Sequence, residues 1–200
     1  MSRGLELKFG NHKLGDDTAI FNMGTAKDCP ARALGLCEAI NKGIKCYAEK
    51  AEVQYPKTVP AARKRQELFW KNSSVLKIIE YLNKKINNRR KDTKYLRFNE
   101  SGDLWNQEDV DKLSKIAEFM KLKEIITYGY TARSDLDFTK ANFLVKGSGN
   151  DKGNNGRTTI IRKNDEVPAG YIECPGGAKG CARCNLCKID TKLNIAFRQH

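Results

Sequence analysis

Histidine is nearly absent from this chain, with two in 200 residues. His12 lies in a polar turn and His200 is the last residue, so neither stands at a metal-binding spacing. Any metal chemistry is therefore left to sulfur. Long apolar runs are absent too, and none approaches the ~20 residues a membrane helix needs. The first ten residues, MSRGLELKFG, have no apolar core followed by a small-residue cleavage site, so a cytosolic protein is expected. There is no P-loop, no GxGxxG and no HExxH. No Ser/His/Asp or Cys/His triad can be assembled, and there are no repeats or low-complexity segments. What remains is a composition with 40% hydrophobic and 30% charged residues, that of an ordinary globular chain. The length suits one domain, residues 1–200, with a real core and no need of disulfide staples.

Against this background the seven cysteines stand out. In a reducing compartment they point to metal or redox chemistry, and an odd number cannot all pair as disulfides. Cys174, Cys181, Cys184 and Cys187 form C-x6-C-x2-C-x2-C. Soft thiolates at this density hold zinc or an iron–sulfur cluster. Zinc sites usually draw on two separated pairs of ligands. Here the last three fall within a seven-residue stretch. Such a tight C-x2-C-x2-C wraps one face of a 4Fe-4S cubane, which favours iron–sulfur over zinc. The Pro-Gly-Gly at 175–177 would let the backbone approach the sulfurs.

Cys29, Cys37 and Cys46 form a looser group, C-x7-C-x8-C, in a polar loop spanning residues 24–56. Three thiolates are too few for a four-coordinate site. They suit a cubane cluster with one iron left open, so the simplest partition is one open and one closed cluster. A single cluster with spare thiols, or a mixed site, stays open as an alternative.

The net charge of +13 is uneven, since residues 57–97 hold thirteen Lys/Arg against three Asp/Glu and so carry +10 of it. An anionic partner is one reading: nucleic acid, a nucleotide or an acidic protein. Solvated helix faces are the other.

Periodicity supplies the architecture. Strands are expected at 5–9, 18–23, 94–99, 124–131, 142–145 and 158–161. A helix is expected from Pro60 to Trp70, and another carries Val75, Ile78, Ile79, Leu82 and Ile86 on one face. A third, capped by Asn106, runs over 107–122. Strand, helix and strand in succession with short connections are the signature of parallel βαβ units. A complete eight-fold barrel usually takes ~250 residues. The expectation is a single α/β domain, a partial (β/α) barrel-like parallel sheet with cysteine-rich loops at one edge. The Gly/Asn-rich stretch at 147–157 reads as a surface loop, either flexible or covering a ligand.

In such sheets ligands bind beyond the carboxyl ends of the strands. Three polar clusters fall there: the cysteine loop, residues 99–103 and residues 130–135. Asn99, Glu100, Ser101, Gly102 and Asp103 form a turn that either receives an amine or hydroxyl of a ligand or satisfies its own backbone. Tyr128 and Tyr130 share a face, and Tyr130 is a candidate to line the pocket. Arg133 and Asp135 read as a pair. Arg97 lies inside a strand, where an unpaired charge is expensive, so it should reach an anion or Glu100.

Several of these segments occur together in one known family. Cys-Pro-Ala-Arg at 29–32, Cys-Tyr-Ala at 46–48, Arg-Phe-Asn-Glu-Ser-Gly-Asp-Leu at 97–104, Tyr-Gly-Tyr-Thr at 128–131 and Cys-Ala-Arg-Cys-Asn-Leu-Cys at 181–187 follow in order, and Ile-Ala-Phe-Arg-Gln-His ends the chain. From about residue 22 to 200 the chain resembles the phage gene-product-88-like family, iron–sulfur proteins of phages and prophages. That resemblance implies a 4Fe-4S protein in the host-cell cytoplasm.

A more distant likeness is to a shortened radical S-adenosylmethionine enzyme. It implies an open cluster on Cys29, Cys37 and Cys46, and S-adenosylmethionine at residues 99–103 near Tyr130. The C-terminal cysteines would hold an auxiliary cluster. The spacing departs from the C-x3-C-x2-C of those enzymes. A non-enzymatic electron-transfer or redox-sensing protein, and a zinc-stabilised nucleic-acid binder using residues 57–97, are the other expectations.

Overall fold

The computed structural model describes residues 4–11, 13–176, 180–181 and 184–199. His12, Gly177 and His200 lie outside the described residues. Eight strands form one open sheet: β1 (Lys8–Phe9), β2 (Thr18–Phe21), β3 (Tyr95–Phe98), β4 (Ile126–Thr131), β5 (Leu144–Ser148), β6 (Arg157–Ile161), β7 (Tyr171–Glu173) and β8 (Asn194–Arg198). Their order is β1-β2-β3-β4-β5-β6-β8-β7. β1 joins β2 antiparallel and every other pairing is parallel. The protein is a single α/β domain with a mostly parallel, unclosed sheet, as expected from the sequence.

Helices α1 (Pro30–Ala33), α2 (Glu38–Asn41), α3 (Tyr47–Gln54), α4 (Val59–Asn72) and α5 (Val75–Asn87) all lie between β2 and β3, and α6 (Gln107–Lys121) connects β3 to β4. Local chemistry sets the helix starts. The Ser74 hydroxyl accepts the Lys77 N–H at 3.3 Å, and the Asn106 side chain accepts that of Asp109 at 3.0 Å. Pro60 sits in the first turn of α4, where its missing N–H costs nothing.

Successive strand residues alternate between faces, and the two faces differ in chemistry. Ala19, Phe21, Leu96, Phe98 and Val145 pack against α4, α5 and α6 through Trp70, Ile78, Leu82, Leu113 and Ile116. The Phe21, Phe98 and Trp70 rings form a triangle with centroids 5.4–6.1 Å apart. Each such fully buried side chain stabilises the fold by about 1.5–3 kcal/mol. The opposite face carries Tyr95, Arg97, Tyr128, Tyr130 and Lys146, so the second layer is polar.

The structure corrects several expectations. The 24–56 segment is not one long loop but holds three helices, two of them of four residues, too short to show periodicity. Only β3, α6 and β4 form a compact strand–helix–strand unit; β4, β5 and β6 follow one another without a helix. The 147–157 stretch is a loop anchored by side-chain hydrogen bonds to β5 and to the segment before β8. Asn154 Oδ1 accepts the Val145 N–H at 2.9 Å. Asn155 is fully buried and accepts the N–H groups of Thr191 and Lys192 at 3.0 Å each. A Cβ on Gly153 would fall 2.2 Å from the Gly147 nitrogen, so the close approach requires glycine. β7 and β8 carry no strong sequence signal, being a short exposed edge strand and a strand at the chain end.

Candidate functional site

The carboxyl end of β2 leads into the first cysteine group. Cys29, Cys37 and Cys46 are the N-cap residues of α1, α2 and α3, and none of them closes a side-chain cap hydrogen bond. Three anchors hold the segment. Arg63, buried on α4, pairs with Glu52 at 2.6 Å and donates to the Ala48 carbonyl at 2.8 Å. Glu52 in turn accepts the Ala26 N–H at 2.8 Å. At the far side, Glu38 Oε1 accepts the Thr159 hydroxyl at 2.5 Å and Lys42 donates to the Ile160 carbonyl at 2.9 Å. Those contacts carry the cysteine segment across to β6. Finally, the Tyr47 hydroxyl donates to the Glu100 carbonyl at 2.5 Å, joining α3 to the end of β3.

Burial pushes the Cys29 thiol up to about 12, and the Asp103 carboxylate adds to the rise while the Arg32 and Ala31 N–H groups oppose it. Burial likewise raises Cys37, which also feels Cys46. Cys29 and Cys37 are thus held as neutral thiols, and the three sulfurs lie within electrostatic range in succession, Cys29 with Cys37 and Cys37 with Cys46. All seven cysteines are free thiols.

The turn after β3 is built from unusual backbone. Asn99 and Gly102 both have positive φ, 60° and 78°. The Ser101 carbonyl accepts the Met23 N–H at 3.0 Å, so this turn lies directly against the exit of β2. Asp103 is buried and accepts the N–H groups of Leu104 and Ala132 at 2.9 Å each. It therefore serves its own backbone, the plainer of its two expected roles. Arg133 forks onto Asp135 with two bonds of 2.7 Å, the expected pair. Glu100 Oε1 accepts from Asn11 at 2.6 Å. Asn22 Oδ1, Asn99 Oδ1 and Ser101 Oγ are buried and have no hydrogen-bond partner among the described residues. Unpaired polar atoms in a protein interior are costly, and these three gather at neighbouring strand ends.

The second cysteine group is the connection from β7 to β8. The Cys174 N–H donates to the Ala196 carbonyl at 2.8 Å. Further along, Lys188 donates to the Cys181 carbonyl at 2.9 Å and sits 4.5 Å over the Tyr95 ring. The segment thus lies on the polar face of the sheet. Cys187 meets Tyr130, Lys146 and Arg97 there; its thiol is raised by burial, and these three groups oppose the rise. Burial also raises Cys174, which feels Cys187, Cys181 and Cys184. Both groups of cysteines therefore reach the edge and polar face of one sheet. Among the described residues, no three His, Cys, Asp or Glu side chains converge closely enough to hold a metal ion.

Two residues at this site escaped the sequence reading. Tyr47 follows Cys46 with nothing to mark its reach. Lys146 is a lysine buried inside a strand, and the reasoning that singled out Arg97 applies to it equally. The basic stretch at 57–97 is partly internal. Arg63 is buried, Lys64 and Lys71 pair with Glu67 at 3.0 and 2.8 Å, Arg89 stacks over Phe9 at 4.0 Å, and Lys91 pairs with Asp16. Lys57, Lys77, Lys84, Arg90 and Lys94 are the exposed remainder of that charge. No helix among the described residues is long and apolar enough to cross a membrane.

Fold and site together define a small α/β protein with free thiols massed at the strand ends and across the polar face of a parallel sheet. The chain belongs to the gene product 88 family, whose model matches residues 5–152. The matched part takes in Cys29, Cys37, Cys46 and the 99–103 turn and ends before Cys174. No curated protein and no solved structure matches the chain.

Proposed function

We propose that this is an iron–sulfur protein of radical S-adenosylmethionine-like type. In this reading Cys29, Cys37 and Cys46 hold a 4Fe-4S cluster with one open iron, and Cys174, Cys181, Cys184 and Cys187 hold a second, closed one. The observation that carries the reading is the placement of the first three thiols at three successive helix starts beyond the first parallel strand. That is where open α/β sheets bind ligands. The donor set is sulfur alone, free of disulfides, and suits iron–sulfur chemistry.

When bound, such a cluster supplies an electron to a ligand at its open iron. The chain's own contribution is binding and orientation. Asn99 Oδ1 and Ser101 Oγ offer unpaired polar atoms to an amine or hydroxyl. Asn11 holds the Glu100 carboxylate beside them. Gly102 keeps the turn tight against the cysteine segment, Asp103 locks its far end, and Tyr130 links it to the second cysteine group. S-adenosylmethionine is the ligand this reading assigns to the turn.

Anaerobic purification with counts of iron, sulfide and zinc tests the metal. Iron and sulfide in equal amounts are expected. Zinc without sulfide would overturn the reading in favour of a zinc-stabilised protein using its exposed Lys57, Lys77, Lys84 and Arg90 on nucleic acid. Cys46→Ala should lose one cluster's iron and sulfide and keep the other's. Loss of both, or of neither, breaks the three-plus-four partition. Dithionite reduction with S-adenosylmethionine should alter the paramagnetic signal and release 5′-deoxyadenosine. An unaltered signal with no such product leaves a protein of electron transfer or redox sensing.

A further inference from the structure

We propose that the sheet face opposite the helices binds a small carboxylate or phosphate, with Arg97 as its cation and Tyr128 as a second donor. This site stands on the sheet itself and does not depend on a bound cluster.

Four other arginines have a carboxylate among the described residues, the half-exposed Arg32 with Glu49 at 3.3 Å being the loosest. Arg63 has Glu52 at 2.6 Å, Arg133 has Asp135 at 2.7 Å and Arg198 has Glu173 at 2.7 Å. Arg97 has no ion pair among the described residues, although it lies in the middle strand of a paired trio, β2-β3-β4. Its Nε is buried without a hydrogen-bond partner. The groups acting on it are Tyr47, Tyr128 and Tyr130, all neutral, and then Glu100, whose Oε1 is held by Asn11. Its guanidinium stands 4.9 Å from the centre of the Tyr130 ring. Directly across the strand pair is Tyr128, 1% exposed, whose buried hydroxyl faces the Arg97 guanidinium and whose own proton meets no acceptor among the described residues.

The register extends the site by one strand. Tyr130 lies opposite Lys146, a buried cation on the same face. Lys146 donates to the carbonyls of Asn155 and Leu193, and among the described residues no third acceptor is bonded to it. A guanidinium with a buried Nε, a phenol proton and an ammonium group gather on one face, and among the described residues these donors outnumber the acceptors that meet them. Burying such donors without an acceptor is expensive. A planar carboxylate or a phosphate matches the guanidinium fork and supplies the missing acceptors.

The rival occupant is the Cys187 sulfur, which lies against the same groups. The experiment separates the two. Inorganic phosphate and malonate are titrated by calorimetry into the purified full chain at low salt, alongside iron and sulfide counts. Saturable one-site binding of at least one probe is expected, and the probe that binds names the source of the anion. Arg97→Gln should weaken it by about tenfold or more, the loss of a charge-assisted bond. Tyr128→Phe, which removes one oxygen and keeps the packing, should weaken it by about threefold. Lys84→Gln, on the exposed face of α5, should bind as the parent does. If Arg97→Gln does not fold, Tyr128→Phe decides. The proposal is overturned if neither probe saturates, or if Tyr128→Phe binds as the parent does. It is also overturned if the Arg97 variant loses iron and sulfide while the parent binds neither anion. In that last case the charge serves the thiolates and the iron–sulfur reading stands. Anion binding by a chain free of iron and sulfide would leave this site standing and remove the cluster.

Discussion

Asp103 Oδ1 accepts the hydroxyl proton of Thr131 at 2.8 Å, which fastens the carboxyl ends of β3 and β4 to each other. The same carboxylate takes two backbone N–H groups, yet burial outweighs these donors and pushes its pKa up to about 6 from an ordinary 3.8. A folded-state value above the unfolded one means that the folded protein holds this proton more tightly. The stability so gained is fully present below about pH 4 and is lost as pH rises through about 6. Urea unfolding at a series of pH values should show that decline. Asp103→Asn should lack it and, by setting an amide N–H₂ against a backbone N–H, should be less stable by about 1–3 kcal/mol at low pH, with the gap narrowing as pH rises. Equal pH slopes in parent and variant would show that Asp103 does not titrate in this range.

Arg63 and Glu52 make a second testable pair, at 2.6 Å with side chains 7% and 11% exposed. Arg63→Ala strands a buried carboxylate and should cost about 3–5 kcal/mol. Arg63→Met with Glu52→Gln removes both charges, keeps an acceptor for the Ala26 N–H, and should recover part of that loss. Additive losses in the double variant would mean that the two side chains are not coupled. Lys84→Ala, on the solvent face of α5, should stay within about 0.5 kcal/mol of the parent.

Asn155 ties the β5–β6 connection to the segment before β8. Its amide accepts from Thr191 and Lys192 and donates to the Ile189 carbonyl at 3.0 Å. Asn155→Ala leaves these groups buried without partners and should cost about 3 kcal/mol. The amide protons of Thr191 and Lys192 should exchange faster with solvent, while those of α6 keep their ordering. Unchanged exchange at 191 and 192 would show that water replaces the amide.

The legible parts of this fold are those where chemistry repeats along the chain. The stripe of Ile78, Leu82 and Ile86, and the caps Ser74 and Asn106, announce α5 and α6 before any coordinates are seen. β3 and β4 are legible because apolar and polar residues alternate. The cysteine segment is legible as a place and not as a structure, since helices of four residues show no period. Asn155 reads as loop composition because its partners lie more than thirty residues away, and nothing local predicts them. Arg97 was legible because a charge inside a strand violates the usual pattern. Which face it takes, and that no carboxylate meets it, depend on the register with β4.

Gly102 offers the sharpest test of how the turn is built. Its φ is 78°, and a Cβ there would lie 2.6 Å from the Gly24 nitrogen and 2.8 Å from the Met23 carbonyl carbon, both backbone atoms. Neither can swing aside as a side chain tip would. Gly43 is the control, with φ 67° and nothing within 4 Å of its would-be Cβ. Gly43→Ala should cost only the left-handed penalty, about 1 kcal/mol. Gly102→Ala adds a backbone collision at the contact between the cysteine segment and the end of β3. Its melting temperature should fall below that of Gly43→Ala by about 4–8 °C, the equivalent of about 2 kcal/mol for a chain of this length. Equal melting temperatures would mean that the β2 exit can move away from the turn, and the close packing that frames Asn99 and Ser101 would then be soft.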